Sequence, residues 1–261
     1  MKIHGITKEK KFDIAVFVFT FNHAKFITNS LNSILIQKTR ISWHIFIHDD
    51  ASTDGTREIL EEFYRKFPAR ITLILQEENQ FQKGRPIGTD LYKNSESDFI
   101  AFCEGDDFWT YKKKLNSQYK FLKKHDWCSL IHSPVRIINE NGWHEYEENL
   151  KKLLRNEDYQ KKRISGASLT AGNFIMTCSV MIRRCELPEH LLESIGKLQP
   201  LDYILFSLVT RYKEIGFQNK IMSTYRIHAH NYFASENNRV IEVDFKKTRG
   251  FINTISPHDF T

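Results

Sequence analysis

The sequence predicts an α/β protein built on a mostly parallel sheet, and three observations carry that expectation. The run FDIAVFVFTF, residues 12–21, is apolar apart from Asp13 and Thr20, the pattern of a central strand buried on both faces. Further short apolar runs alternate with segments of helical spacing over the first 140 residues, as strand–helix–strand units do. Two of those runs end in acidic turns, HDDASTDGT at 48–56 and CEGDDFW at 103–109, and the strand ends of such a sheet open onto one crevice.

Taken in order, the first strand ends in Asn22 and His23, and Phe26, Ile27, Ser30, Leu31, Ile34 and Leu35 then repeat at helical spacing. A second strand at 43–48 runs into the first acidic turn, where Ser52, Thr53 and Asp54 are cap residues for a helix containing Ile59, Leu60, Phe63 and Tyr64. Pro68 stops that helix. Residues 71–75 read as a third strand, and QEENQFQKGRPIG, with two glycines and a proline, as a loop. A short helix at 89–94 leads to a fourth strand at 99–102 and the EGDD turn. Leu115, Tyr119 and Leu122 mark a further helix, and 130–138 a further strand. The charged stretch 139–163 reads as a solvated loop or insertion. Apolar order returns with NFIMTCSVMIRR at 173–184, read as a strand. A helix at 201–212 has Ile204, Leu205, Leu208 and Val209 on one side and Asp202 at its start, and KIMSTYRIHAHN ends a last strand-like run in His228 and His230.

With 261 residues, 41% of them hydrophobic, the chain can build one large domain, and no stretch approaches the apolar length of a membrane span. The basic N-terminus leads into a strand without a cleavage-site pattern, so a soluble cytoplasmic protein is expected. Four cysteines without paired spacing point to reduced thiols rather than zinc or redox motifs. A net charge of +6, spread among alternating lysines and glutamates, comes with no nucleic-acid-binding module.

Glu104, Asp106 and Asp107 leave a buried strand within a few residues of one another, and like charges that close call for a compensating cation. Oxygen ligands favour magnesium or manganese, ions that usually complete their shell with substrate phosphates. The alternative is that these are ordinary turn and cap residues. The second acidic turn, placed in the same way, favours a site.

These motifs, in order VFTFN, DDASTDGT, KGR, EGDDFW, SVMIRR, LDYILF and YRIHAHN between residues 12 and 231, resemble the family 2 glycosyltransferases of the GT-A fold, especially bacterial enzymes that build surface polysaccharides. The resemblance implies a Rossmann-like, mostly parallel sheet flanked by helices, with a smaller C-terminal acceptor-side region. Residues 1–138 would be the nucleotide-sugar-binding half, 139–172 the charged insertion, 173–235 the acceptor-side half and 236–261 a tail. Thr20, Phe21 and Asn22 would pack against the base, with phenylalanine where many members have tyrosine, and Asp50 would accept a hydrogen bond from a uracil-type imide, Asp49 being left as a helix cap. Lys83 or Arg85 would neutralise the diphosphate, the arginine through its planar fork. Asp106 would contact the ribose, and Asp106, Asp107 and His228 would hold the divalent metal, Mn2+ or Mg2+; Glu104 stands where other members have aspartate. Asp202 would be the base of an inverting displacement.

The implied partners are a nucleoside-diphosphate sugar, with UDP the expected nucleotide, and a saccharide or lipid-linked saccharide acceptor, without nucleic acid. The tail, with Lys246, Lys247 and Arg249 among Val243, Phe245 and Phe251, leaves open peripheral contact with the inner membrane face, docking onto its own domain, or a homodimer contact. Three rivals stand beside this reading. A nucleotidyltransferase would want a glycine-rich loop after the first strand, where VFTFNHAKF has none; a glycoside hydrolase would use paired carboxylates without nucleotide or metal; a sugar-nucleotide-binding protein would bind without catalysis.

Overall fold

The computed structural model describes residues 1–5, 11–85, 87–139, 142–143, 157–185, 187–188, 191, 198, 200–229 and 238–255. In chain order the strands are β1 (Lys2–His4), β2 (Lys11–Thr20), β3 (Trp43–Asp49), β4 (Ile71–Leu75), β5 (Glu96–Glu104), β6 (Phe108–Trp109), β7 (Cys128–His132), β8 (Val135–Asn139), β9 (Gly142–Trp143), β10 (Arg163–Ser165), β11 (Met181–Arg183), β12 (Glu214–Phe217) and β13 (Ser223–Arg226). The helices are α1 (Ile27–Leu35), α2 (Thr56–Lys66), α3 (Thr89–Asn94), α4 (Lys114–Lys124), α5 (Glu157–Gln160), α6 (Leu201–Thr210) and α7 (Asn238–Thr254).

The described strands form a nine-stranded sheet in the order β1-β4-β3-β2-β5-β11-β7-β12-β10 and a small sheet in the order β6-β13-β8-β9. Strands β4, β3, β2 and β5 run parallel, and β11 enters antiparallel between β5 and β7. The apolar run Ile14–Phe19 within β2 explains its central place. Ile14, Val16 and Val18 are buried with Ile27, Leu31 and Ile34 of α1, Leu60 of α2 and Leu115 of α4. Ala15 and Phe17 are buried in the other layer, with Leu91 of α3 and Tyr203 and Phe206 of α6. A polar residue anywhere from Ile14 to Val18 would be stranded in one of these layers. The chain leaves β2 to one side for β3 and β4 and reaches its other side with β5, so the ends of β2 and β5 flank the point where the winding reverses, the place where open α/β sheets bind ligands.

Three sequence expectations are corrected. The apolar stretch 130–138 is not one strand: β7 belongs to the large sheet and β8 to the small one. Pro134, which has no N–H for a ladder, lies between them. Within 173–184 only Met181–Arg183 is a strand, and Thr177–Ser179 is a 3-10 turn whose backbone is held by side chains. The charged stretch is not loop throughout, because Arg163–Ser165 pairs with β12 at the edge of the large sheet; its centre, 144–156, lies outside the described residues. The tail docks on its own domain: Phe245 of α7 lies against Tyr203, with ring centroids 5.4 Å apart, and Ile252 and Ile255 are buried.

Lys114, at the start of α4, is fully buried. Its Nζ lies 2.8 Å from Gln118 Oε1 and 4.4 Å from the centroid of Trp109. Burial lowers its pKa from 10.5 to about 7. From pH 7 to 10.5 the unfolded chain therefore holds a proton that the folded chain has released, and stability rises with pH across that window. Relative to Lys114→Met, wild-type stability is expected to increase by about 2 kcal/mol between pH 7 and 9, measured by denaturant unfolding at the two pH values.

Candidate active site

Parallel pairing of β5 with β2 sets Glu104 beside Phe19, and Gly105 N–H donates to Phe19 O at 2.8 Å. The EGDD turn thus crosses directly over the end of β2. It can do so because residue 105 has no side chain: a Cβ there would lie 2.7 Å from Thr20 Oγ1 and 2.8 Å from His23 Nδ1. Gly105→Ala is expected to cost about 1–3 kcal/mol in thermal or chemical unfolding.

The small sheet brings in the C-terminal half. β13 pairs with β6, directly after the turn, and Arg226 closes the junction: its N–H donates to Asp107 Oδ1 at 2.8 Å and its Nε to Asp106 O at 2.9 Å. Two residues on, His228 Nε2 lies 3.0 Å from Asp106 Oδ2. His23 Nε2, from the turn after β2, lies 3.8 Å from the same oxygen. One ligand atom from each of His23, Asp106 and His228 falls within 4.8 Å of the others, the one such group among the described residues.

The electrostatics fit a cation. Burial raises the Glu104 carboxyl well above its ordinary range, and Asp107, Asp106 and Asp202 push it further. Burial and then the Asp106 charge raise Asp107 likewise. Burial works to raise Asp106 too, but the hydrogen bond to His228 and the charges of the two imidazoles outweigh it and leave that carboxyl lowered. A carboxylate cluster held in this state gains from added positive charge. Thr20 Oγ1 and His23 Nδ1 are buried here without hydrogen-bond partners, so the polar wall has capacity to spare for a ligand. Asp107 lies outside the three-residue group; its Oδ1 is engaged by the Arg226 backbone, and its Oδ2 is buried without a hydrogen-bond partner.

The first acidic turn is locked to the end of β2. Asn22 adopts φ 55°, a left-handed conformation that asparagine tolerates; its Oδ1 accepts from Thr53 N–H at 2.8 Å, and its own N–H donates to Ser52 Oγ at 2.9 Å. Phe21 is left 37% exposed, its ring open to a flat partner. Asp50 is buried, with Oδ1 accepting from Gln80 N–H at 2.7 Å and Oδ2 from Phe81 N–H at 3.0 Å. It therefore ties the turn to the loop carrying Lys83 and Arg85. Both cations are exposed; Lys83 pairs with Glu78, and Arg85 reaches Gln80 Oε1 at 3.3 Å. Asp49 does not cap α2. It accepts from Ser52 N–H and from Arg57 Nε, each at 3.1 Å, and Asp54 takes the Thr56 N–H at 3.0 Å instead.

Asp202 stands in the first turn of α6. Its Oδ1 accepts from Tyr203 N–H at 2.7 Å, and its Oδ2 from Thr177 Oγ1 at 2.8 Å and Asn173 Nδ2 at 3.3 Å. Burial raises its pKa. The segment that presents Thr177 is itself gripped from the EGDDFW side: Trp109 Nε1 donates to Cys178 O at 3.1 Å, Gln118 Nε2 to Ser179 O at 2.7 Å, and Lys114 Nζ reaches Val180 O at 3.5 Å. Asp202 is thereby held close enough to Glu104 to raise its pKa. The structure brings together Thr20, Asp106, Asp107, Asp202 and His228; Lys83 and Arg85 lie on the loop above. His23, Thr177 and Arg226 belong to the site without having been singled out in the sequence, and His230 lies outside the described residues.

Comparison with known proteins bears on this arrangement. The family model for glycosyl transferase family 2 matches residues 15–186, from the first buried strand past the EGDD turn to the end of β11. The chain belongs to glycosyl transferase family 2. An uncharacterized protein of Mycobacterium tuberculosis, Rv1520, is 30% identical over 227 residues, which covers 85% of this chain and 61% of the relative. This family 2 chain thus spans about three fifths of that relative's length. Among solved structures, it is similar in fold to Staphylococcus aureus TarS 1–349 in complex with UDP, with a TM-score of 0.60, 18% identity, and coverage of 94% of this chain and 66% of that one. It is also similar to the mannosyltransferase PcManGT of Pyrobaculum calidifontis in complex with GDP-Man and Mn2+, with a TM-score of 0.65, 17% identity, and coverage of 98% and 69%. At these identities the likeness is one of fold.

Proposed function

We propose that this family 2 chain is an inverting glycosyltransferase that moves a sugar from a nucleoside diphosphate, UDP by preference, to a hydroxyl of a saccharide or lipid-linked saccharide in the assembly of a bacterial surface polysaccharide. The observation that carries the reading is the meeting of Asp106 and His228, far apart in the chain, at the end of β5, with Asp202 near enough to Glu104 of the same turn to raise its pKa. Thr20, Phe21, Asn22 and Asp50 frame the nucleotide base, and Arg85 and Lys83 face the diphosphate from their loop. Asp106 and His228 hold a divalent cation, Mn2+ or Mg2+, which when bound supplies positive charge to the departing diphosphate. Asp202, fixed by Thr177 and the Tyr203 N–H, keeps its carboxylate oriented to take the proton of the attacking hydroxyl. Residues 1–138 supply the donor side and 173–235 the acceptor side.

No helix among the described residues is long and apolar enough to cross a membrane. A lipid-linked acceptor would then be met by a chain acting in the cytoplasm at the inner membrane face. Incubating the protein and manganese with a panel of nucleoside-diphosphate sugars and candidate acceptors, with products read by mass spectrometry, tests the reading. Transfer from at least one donor is expected; binding without transfer from any would favour a non-catalytic sugar-nucleotide-binding protein. UDP with manganese at a hundred times its dissociation constant is expected to stabilise the fold by about 2.7 kcal/mol, and UDP alone by clearly less.

A further inference from the structure

We propose that His23 is a third protein ligand of the divalent cation, and that the resulting pair of imidazoles makes the site select manganese or cobalt over magnesium. The proposal rests on reading Asp106 and His228 as a cation site. His23 is fixed where the chain leaves β2 for α1: its carbonyl accepts the N–H groups of Phe26 and Ile27, each at 2.8 Å, which sets the direction of its side chain. The ring then stands 5.9 Å from that of His228, nearly perpendicular to it, with Asp106 Oδ2 reached by both.

Atoms bound to one ion at about 2.1 Å are about 3 Å apart when adjacent and about 4.2 Å apart when opposite. Separations of 3.0 and 3.8 Å from Asp106 Oδ2 fall within that range, and with all three ligand atoms within 4.8 Å of one another the two imidazoles need close in by only a few tenths of an ångström on an ion. The His23 Nδ1 is buried against the backbone of Gly105 without a hydrogen-bond partner, which leaves Nε2, the nitrogen on the Asp106 side, as the one placed to meet an ion. Asp107, the other candidate for a third ligand, has Oδ1 engaged by Arg226 N–H and Oδ2 buried without a hydrogen-bond partner, and it lies outside the three-residue group.

The consequence is chemical. Magnesium favours an all-oxygen shell, whereas imidazole binds later divalent ions in the order manganese, then cobalt. A site with one carboxylate and two imidazoles is therefore poorly suited to magnesium, and a site with one of each is less discriminating.

The test is metal binding to the whole chain in the presence of UDP, by calorimetry, for wild type, His23→Gln, His23→Ala and His228→Ala. Wild type is expected to bind manganese about tenfold or more tightly than magnesium. His23→Gln and His23→Ala are expected to lose about tenfold in manganese affinity with much less change for magnesium, so that the preference narrows. Pulsed electron paramagnetic resonance of manganese on the wild-type protein, which does not depend on any variant folding, is expected to show nitrogen couplings from two imidazoles. Couplings from one imidazole only, or a His23→Gln protein that keeps its manganese affinity within about twofold while His228→Ala loses it, would overturn the role of His23 and leave the Asp106–His228 site standing. Absence of UDP-dependent manganese binding to the wild-type protein would overturn both.

Discussion

Asp106→Asn is expected to lower kcat/KM for sugar transfer by at least about 100-fold, equivalent to about 2.7 kcal/mol of transition-state stabilisation. Asp106 touches both halves of the site. Its oxygen is within 3.0 Å of His228 and 3.8 Å of His23, and its carbonyl receives Arg226 Nε. Asparagine keeps an oxygen that can accept a hydrogen bond from His228, so the variant should stay folded; what it loses is the charge a hard cation needs. Initial rates with saturating manganese, alongside a melting curve to establish folding, check the expectation. A folded variant retaining more than a third of wild-type turnover would remove Asp106 from the cation site.

Asp202→Asn is expected to lower kcat by about 10²- to 10⁴-fold while leaving the donor KM within about threefold. Asparagine can keep its oxygen on the Tyr203 N–H and turn its NH2 to Thr177, whose hydroxyl can accept, losing only the 3.3 Å contact from Asn173 Nδ2, so the side chain stays in place while the capacity to take a proton is lost. The pH profile gives an independent reading. Burial raises the Asp202 pKa, and a base acts only when ionised, so wild-type kcat should rise with pH through that raised value. Its acid limb should lie at higher pH than an ordinary aspartate would give. The asparagine variant should lack this limb. Unchanged kcat in the variant would leave Asp202 as a residue that only secures the start of α6.

Much of this arrangement was legible in the sequence because local rules decided it. The apolar run of β2 and the acidic turns after β3 and β5 follow from strand ends that can be placed by pattern, whereas Thr20, Asp50, Asp106, Asp202 and His228 were singled out through the resemblance to family 2 glycosyltransferases, since pattern alone reads Asp202 as a helix cap. What was not legible depends on contacts between distant segments. His23 is a single histidine after a strand, and only the crossing of Gly105 over Thr20 shows that it faces Asp106. Asp107 and Asp106 are neighbours in the chain, but pairing of β6 with β13 turns Asp107 towards Arg226 and leaves Asp106 facing the histidines. The segment before β11 is apolar enough to read as strand, yet Trp109 and Gln118 take its carbonyls and Thr177 turns to Asp202, so it bends instead. Of the two misplaced boundaries, the break within 130–138 did leave a signal, Pro134, which argued against a continuous strand.

In the proposed mechanism a cation held at the end of β5 grips the diphosphate of the donor. A crystal structure of the protein with UDP and manganese, with data collected for the anomalous signal of the metal, tests this. A manganese peak bonded to Asp106 and His228 is expected, with the diphosphate of UDP on the same ion and the uracil ring near Phe21 and Asp50. UDP bound with its diphosphate away from the EGDD turn, or a manganese peak elsewhere with Asp106 and His228 bare, would contradict it.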